Sequence, residues 1–107
     1  MAVNPTRASL LPAGQFWHVD NDGKEALFVE TIGAADTYVT GGWALVPGNY
    51  GLQVIYFADV STAGSGHPLA WNAATGAIQA FSAAGTELAN ASAALQNVKY
   101  NLRVFGK

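Results

Sequence analysis

The sequence predicts an all-β fold: a single-domain β-sandwich or small barrel with an extended N-terminal arm. Three observations support this fold class. Short apolar segments follow one another along the chain and are divided by Gly, Pro and Asn. Turn signals recur about every 8–12 residues, which is typical of sandwiches and barrels. No segment has the length and apolar spacing of a convincing helix, so we expect about seven to nine short strands.

The composition limits both the size of the protein and its partners. At 107 residues the chain fits one domain with a self-sufficient core. Only 11% of the residues are charged and the net charge is −2, so separate copies repel one another weakly. We therefore expect a surface that is partly covered by partners. The few basic residues are scattered among acids, which argues against a nucleic-acid partner, and no apolar stretch is long enough to span a membrane.

Residues 1–14 are predicted to form an extended arm that precedes a β-sandwich domain over residues 15–107. Two prolines in this segment each remove a backbone donor and disfavour a helix. One interpretation is a frayed terminus, and the other is an arm whose Leu10 and Leu11 dock on a neighbouring subunit. In either case we expect the segment to add little to the core.

The first part of the domain is predicted to contain a hairpin and two short strands. Residues 16–19 and 26–31 are rich in β-forming types and flank an Asp-Asn-Asp-Gly turn, whose residues tolerate left-handed backbone angles. After a loop of small residues, strands are predicted at 38–40 and 43–46. A glycine pair and a Pro-Gly-Asn sequence bracket the second of these strands, which leaves no room for a long helix.

Residues 52–60 are predicted to form the central strand. In an extended strand, Val54 and Tyr56 lie on one face. Ile55 and Phe57 lie on the opposite face. Apolar residues on both faces indicate a strand that is buried on both sides or that lies at a subunit contact.

A second hairpin and an alternating strand complete the predicted fold. Residues 69–71 and 77–81 flank Asn-Ala-Ala-Thr-Gly, in which Asn caps its own turn and Gly takes a positive φ. Residues 83–97 are compatible with either a strand or a single helical turn. Residues 98–104 alternate strictly between apolar and polar types, which predicts a last strand with one face toward the core and one toward solvent.

The sequence carries no pattern of a catalytic or cofactor site, so we predict that the chain is not an enzyme and needs neither a metal nor a cofactor. His18 and His67 have no carboxylate at ligand spacing. Asp20, Asp22 and Glu25 resemble fragments of a calcium loop, but the spacing toward the bidentate glutamate of that motif is absent. The serines lack an activating context, and the absence of cysteine excludes disulfides and thiolate sites.

The aromatic residues allow two interpretations. On a β-sandwich they are suited to form a platform for sugar stacking, as in carbohydrate-binding modules. Alternatively they anchor the core and a subunit interface, which is the more common use. The residues predicted to lie at an interface with another subunit or with a partner protein are Leu10, Leu11, Trp43, Tyr56 and Trp71.

Several short motifs follow one another over the C-terminal two thirds of the chain. They are Tyr-Val-Thr-Gly-Gly-Trp at 38–43, Gly-Leu at 51–52 before a hydrophobic strand, the hairpin at 71–81, Gly-Thr-Glu-Leu-Ala-Asn at 85–90 and Val-Phe-Gly-Lys at 104–107. In order and spacing these motifs resemble those of small virion proteins of tailed bacteriophages. Asn72 stands where that group often has Asp, and Ala77 stands where it often has Lys, so a polar contact in the hairpin differs.

The resemblance implies a bacteriophage capsid decoration (cement) protein, a structural protein that binds the major capsid protein lattice and stabilises the head. It also implies a homotrimer on the capsid surface of the virion, assembled in the host cytoplasm. Two alternatives stay open, namely a carbohydrate-binding or host-adhesion module and another virion component such as a tail protein. No nucleic-acid or membrane partner is expected.

Overall fold

The computed structural model describes residues 2–10, 18–19, 23–62 and 66–107. Within these ranges the strands are β1 (Thr6–Ser9), β2 (His18–Val19), β3 (Lys24–Thr31), β4 (Trp43–Ala44), β5 (Ile55–Ser61), β6 (Leu69–Asn72), β7 (Ala77–Ala80) and β8 (Lys99–Gly106). A 3₁₀ helix covers Pro47–Tyr50. The strands form two antiparallel sheets, so the predicted all-β class is confirmed.

The larger sheet has the strand order β1-β3-β8-β5, with β2 also paired to β3. β3 and β8 pair along their whole length, from Lys24 opposite Gly106 to Thr31 opposite Lys99. Because β8 occupies one edge of β3, β1 and β2 share the other edge. The pairing of β2 with β3 confirms the strands of the first predicted hairpin, while residues 20–22 of its turn lie outside the described residues.

β8 confirms the alternation that its sequence predicts. Tyr100, Leu102 and Val104 are buried, whereas Lys99 and Arg103 are exposed. Successive side chains of a strand point to opposite faces, so the apolar set of β8 faces the core. The strand pairs with β3 on one side and β5 on the other, which makes it central in the larger sheet.

β5 lies at the edge of the larger sheet, so the prediction of a central strand at 52–60 is wrong. Among the described strands it pairs with β8 alone, and its register shifts between Ile55 and Phe57. Ile55 stands opposite Gly106 and Phe57 opposite Phe105, which makes Tyr56 the extra residue of a β-bulge. A bulge interrupts the alternation of faces. The apolar run therefore reflects an exposed aromatic edge rather than burial on both sides.

The smaller sheet has the strand order β4-β7-β6 and contains the second predicted hairpin, which is confirmed. Asn72 stands opposite Ala77 at the end of the ladder. The Asn72 Oδ1 atom accepts a hydrogen bond from the Ala74 N–H at 2.9 Å, and Gly76 has a φ of 71°. These are the side-chain cap and the positive φ that the turn sequence predicts.

The connections between the sheets differ from the predicted strands. Residues 38–40 form no strand; instead, the Tyr38 N–H donates to the Ser92 carbonyl and the Ala91 N–H donates to the Tyr38 carbonyl. Of the strand predicted at 43–46, only β4 is present. Residues 83–97, all of which the structure describes, form turns and one isolated bridge rather than a helix.

Apolar side chains from both sheets share one core. The most completely buried large side chains among the described residues are Tyr38, Tyr100, Ile32, Ile78, Leu95, Leu102, Glu30 and Val104. The Trp43 ring lies 6.4 Å from the Tyr38 ring and 6.1 Å from the Tyr100 ring, measured between centroids. Its Nε1–H donates to the Tyr100 hydroxyl at 3.2 Å, so this buried ring has a partner for its polar atom.

The N-terminal segment belongs to the larger sheet. β1 pairs with β3 from Thr6 opposite Thr31 to Ser9 opposite Phe28, and Val3 lies in the core. The expectation that residues 1–14 add little to the core is therefore wrong for the part that the structure describes. The physical reason is that β3 would otherwise present an unpaired backbone edge, which the chain fills with its own strand. The predicted boundary at residue 14 lies outside the described residues.

Candidate docking surface

Four of the six exposed large hydrophobic side chains that the structure describes border one cleft next to β5. The six that the structure describes are Leu10, Val39, Val46, Val54, Tyr56 and Phe57. These four residues are Val46, Val54, Tyr56 and Phe57, and they lie in or directly beside the segments that line the cleft. We call them the β5 edge patch. Tyr56 is 49% exposed and Phe57 is 48% exposed. Single exposed hydrophobic residues are common on proteins, whereas a cluster marks an interaction surface.

The bulge in β5 creates the aromatic part of the patch. Tyr56 and Phe57 are consecutive, yet their rings contact different elements. The Tyr56 ring lies 6.0 Å from the Phe105 ring of β8, at an interplanar angle of 49°. The Phe57 ring lies 6.2 Å from the Trp71 ring of β6, at 76°. Bulges redirect side chains in this way and occur often at functional edges of sheets.

A cleft of about 320 Å³ lies next to these rings. Its lining residues are Leu45, Pro47, Val54, Ile55, Tyr56, Trp71, Ala73 and Gly76. β5 and β6 contact each other here without pairing, because each is an edge strand of a different sheet. The lining carries no charged side chain, so the cleft suits apolar side chains of a partner.

Charged residues border the aromatic surface. Arg103 lies between Glu25 and Asp59, with its Nε atom 3.3 Å from Glu25 Oε1 and an Nη atom 3.8 Å from Asp59 Oδ2. Arg103 and Phe105 are two residues apart on β8, so they share one face of the sheet. Exposed ion pairs of this kind contribute less than about 1 kcal/mol to stability. An apolar centre with a charged border is the usual arrangement of a protein–protein interface.

The structure separates the five residues predicted to lie at an interface. Tyr56 belongs to the β5 edge patch, and the half-buried Trp71 contacts Phe57. Leu10 is 56% exposed but follows β1 on the opposite edge of the sheet, and Leu11 lies outside the described residues. Trp43 requires a correction: it is 8% exposed and packs in the core, because the rings of Tyr38 and Tyr100 contact it there.

Three members of the patch, namely Val46, Val54 and Phe57, are not among the residues that the sequence predicts at an interface. The available signal was the apolar run at 52–60, for which a subunit contact was one of the two explanations. The residue types do not reveal where the bulge falls. Without the bulge, Phe57 and Tyr56 belong to opposite faces, and the patch cannot be recognised.

A buried polar cluster lies away from the patch, around Glu30 of β3. Glu30 has no exposed surface. Its Oε1 accepts a hydrogen bond from the Tyr50 hydroxyl at 2.5 Å, and its Oε2 accepts one from the Tyr100 hydroxyl at 2.6 Å. Burial raises the pKa of both tyrosines above the ordinary value, and the neighbouring Glu30 raises it further. The Arg7 Nε atom lies 3.7 Å from Glu30 Oε1 and supplies a positive charge.

A second polar contact holds the loop before β4. Glu87 Oε2 accepts hydrogen bonds from the Tyr38 hydroxyl at 2.5 Å and from the Gly41 N–H at 2.8 Å. These two donors, the tyrosine first, lower the pKa of Glu87. Burial, reinforced by the bond to Glu87, raises the pKa of Tyr38 to about 12. The contact joins two connections that are far apart in the sequence.

The described residues contain no group of three or more His, Cys, Asp or Glu side chains that could hold a metal ion. Asp20 and Asp22 lie outside the described residues. In the part of the chain that the structure describes, no helix is both long and apolar enough to cross a membrane.

The structure is an all-β domain of two antiparallel sheets with an exposed apolar and aromatic patch at one sheet edge, which is the candidate docking surface. Comparison of the chain with protein-family models, with curated proteins and with solved structures found no match in any of the three.

Proposed function

We propose that the protein is a capsid decoration (cement) protein of a tailed bacteriophage, which binds the major capsid protein lattice and stabilises the head. The observation that carries the proposal is the β5 edge patch with its apolar cleft. The motifs over residues 38–107 support the same class, because they resemble those of small virion proteins. The charged content of 11% agrees with a surface that lies against other proteins.

The size of the patch explains why several copies have to act together. Full burial of a large apolar side chain contributes about 1.5–3 kcal/mol, so each half-exposed member of the patch supplies roughly 1 kcal/mol. Association costs of several kcal/mol offset most of that gain for a single copy. A homotrimer presents three patches to the lattice, and the second and third contacts form at a high effective concentration. We therefore propose that the protein binds as a trimer.

Capsids of the phage that encodes the chain, assembled without this protein, provide the test. Purified protein is added, and its binding is measured by co-sedimentation. We expect the Tyr56→Ser/Phe57→Ser double variant to bind at least about tenfold more weakly than the unmodified protein. Val39→Ser is the matched control, since Val39 is exposed but lies outside the patch, and we expect it to bind normally.

Thermal rupture of the same particles tests the stabilising role. We expect capsids with bound protein to rupture at a higher temperature than bare capsids, because each bound copy has to be released before the shell opens. Equal rupture temperatures, or equal binding by the double variant and the control, would contradict the cement function.

The carbohydrate-binding alternative predicts aromatic faces that lie flat and open to solvent. Trp43 is buried, and the Trp71 ring meets the Phe57 ring at 76° rather than parallel to it. A glycan array decides between the two functions. Binding to a defined glycan that is lost in Trp71→Ala, together with no binding to capsids, would replace the cement function by this alternative.

A further inference from the structure

The cleft beside β5 is lined by a residue whose hydrogen-bond donor has no acceptor. Trp71 lines this cleft, and its Nε1 atom, which is buried, has no hydrogen-bond partner among the described residues. Most buried N–H groups in proteins are paired, because an unpaired donor loses the hydrogen bond that water would supply. The indole of Trp43, by comparison, donates to the Tyr100 hydroxyl. A ligand of the cleft can therefore contribute the acceptor that Trp71 lacks.

The lining of the cleft restricts the chemistry of its ligand. It combines the aromatic rings of Tyr56 and Trp71 with Pro47 and aliphatic side chains, and it carries no charged side chain. The part of the ligand that enters the cleft is therefore uncharged and apolar, because a charge buried there without a partner costs free energy. A volume of about 320 Å³ lies at the lower end of the range for binding pockets, so the cleft suits a few side chains of a partner.

The bulge in β5 favours a polyproline II segment over an added β-strand. β5 is an edge strand, and such an edge accepts a further strand through a regular ladder of hydrogen bonds. The register shift at Tyr56 makes the backbone irregular where the strand borders the cleft. A polyproline II segment needs no ladder. It has no internal hydrogen bonds, so its carbonyl groups are free to accept one, and it docks on grooves lined by aromatic rings.

The charges beyond the two ends of the cleft differ in sign. Asp59, whose side chain is 61% exposed, follows Tyr56 by three residues, which is roughly 10 Å along the strand. The guanidinium of Arg103 lies 3.8 Å from Asp59 and is shared with a second carboxylate. At the other end, the exposed Lys107 pairs through its backbone with Val54. Electrostatic attraction therefore favours a bound segment with a basic residue at the Asp59 end.

We propose that the cleft binds a proline-containing segment of the major capsid protein in the polyproline II conformation. A backbone carbonyl of this segment accepts the Trp71 Nε1–H, and a basic residue lies beside Asp59. We take the identity of the partner from the proposed function, on which this inference rests. A polyproline II segment advances about 3.1 Å per residue, so the basic residue lies about three positions from the residue that enters the cleft.

The approach of the carbonyl requires a side chain to move, because the Trp71 Nε1 atom is buried in the free protein. The Phe57 ring contacts the Trp71 ring and is 48% exposed. We expect the Phe57 ring to rotate when the segment binds. Side-chain rotations of this kind are common at interfaces whose backbone hardly changes.

Short overlapping peptides that cover the sequence of the major capsid protein are the probes. Each peptide is added to isotope-labelled protein, and the indole N–H signals are followed by NMR. We expect peptides with prolines next to a basic residue to bind and to shift the indole proton of Trp71 downfield, as its hydrogen bond forms. The Trp71→Phe variant assigns that signal. The indole signal of Trp43 is the internal control and should stay in place, because its bond to Tyr100 lies in the core.

Matched variants test each part of the recognition. We expect Trp71→Phe, which keeps a ring but lacks the donor, to bind about tenfold more weakly. Replacing the prolines of a bound peptide by alanine should weaken binding to a similar degree, because the free peptide is then less ordered. Asp59→Lys should weaken binding of the basic peptide and strengthen binding of a peptide with glutamate at that position. Val39→Ser is the control and should bind normally, since Val39 is exposed outside the cleft.

Co-sedimentation of the complete protein with capsids separates the two proposals. Capsid binding without binding of any proline-containing peptide would overturn the polyproline II segment and leave the cement function in place. A bound peptide that does not move the Trp71 indole signal would overturn the proposed hydrogen bond, since the donor would then stay unpaired or bond to an internal water. Binding to neither capsids nor peptides would contradict both proposals.

Discussion

The glycine pair before β4 illustrates how closely individual residues fit this fold. Gly41 and Gly42 both have positive φ values, of 95° and 85°. A Cβ atom on Gly41 would meet nothing within 4 Å. A Cβ atom on Gly42 would overlap the backbone carbonyl of Ile78 on β7, well inside van der Waals distance. Only the second glycine is therefore required for packing as well as for its backbone angle.

The two glycines make a matched pair of variants. We expect Gly41→Ala to lower the free energy of unfolding by about 1–2 kcal/mol, which is the strain of a left-handed non-glycine residue. Gly42→Ala has the same backbone strain and an additional overpacking cost of about 1–3 kcal/mol. We therefore expect it to lower the free energy of unfolding by about 2–5 kcal/mol. Urea denaturation of both variants measures the difference. Equal losses would show that the backbone of β7 moves aside without cost.

The buried tyrosines predict loss of stability in alkali. The pKa of Tyr38 rises from the ordinary 10.0 to about 12, and the pKa values of Tyr50 and Tyr100 are also raised. Above pH 10 the unfolded chain loses tyrosine protons that the folded protein retains, so stability falls as the pH rises from 10 through about 12. Denaturation at stepped alkaline pH measures this loss, and we expect a shallower dependence in Tyr38→Phe. A flat profile over this range would contradict the prediction.

At the scale of elements, β1 has a structural role that its sequence does not reveal. Deletion of residues 2–10 removes Val3 from the core and leaves Glu30 without Arg7. We expect a loss of about 3–5 kcal/mol in the free energy of unfolding, which is typical when one partner of a buried ion pair is removed. Urea denaturation followed by circular dichroism is the measurement. Leu10→Ser is the control and should change stability by less than about 0.5 kcal/mol, because Leu10 is exposed.

The elements that the sequence predicts well are those whose signals are local. The hairpin of β6 and β7 has a cap at Asn72 and a glycine at its end, and β8 alternates in residue type over its length. In both cases, the information lies within a few neighbouring residues. Local patterns of this kind predict the type of element and its turn without knowledge of the rest of the fold.

The elements that the sequence does not predict depend on distant partners. Residues 52–60 form a central strand if other strands pair on both sides of them and an edge strand if one side stays unpaired. An apolar run is compatible with both positions. The same holds for β1, whose four residues show no alternating apolar pattern and pair because β3 offers a free edge. Arg7, Glu30 and their two tyrosines lie far apart in the sequence, so their meeting cannot be derived from spacing.

For the same reason, the sequence points to only some residues of the candidate site. Its residue type and the apolar strand around it indicate Tyr56, which lies in the β5 edge patch. Trp43 has the same kind of residue type but lies in the core. Large aromatic residues favour both cores and interfaces, and only the packing of the two sheets separates these uses.

At the scale of the whole molecule, the chain has the dimensions of a self-contained domain. Its radius of gyration is 13.7 Å, close to the value of about 13 Å expected for a compact domain of this length. A trimer would therefore assemble from folded subunits rather than by folding of three chains together. We expect light scattering at micromolar concentration to give three times the chain mass of 11.1 kDa.

Dilution tests the order of folding and assembly. We expect the proposed trimer to dissociate to monomers that keep their β circular dichroism signal, because the core lies within one chain. Tyr56→Ser/Phe57→Ser is informative here as well. If this variant stays trimeric, the β5 edge patch is free for the capsid; if it becomes monomeric, the patch joins the subunits instead.

The different surroundings of Trp43 and Trp71 provide two intrinsic fluorescent reporters. Trp43 is enclosed by tyrosine rings and bonded to Tyr100, whereas Trp71 lies half-buried at the cleft. With Trp17 replaced by Phe, the removal of either remaining tryptophan leaves a single emitter. We expect the emission of Trp43 to change on unfolding alone. The emission of Trp71 should shift toward the blue when a partner covers the cleft. Tryptophan fluorescence therefore distinguishes docking from unfolding.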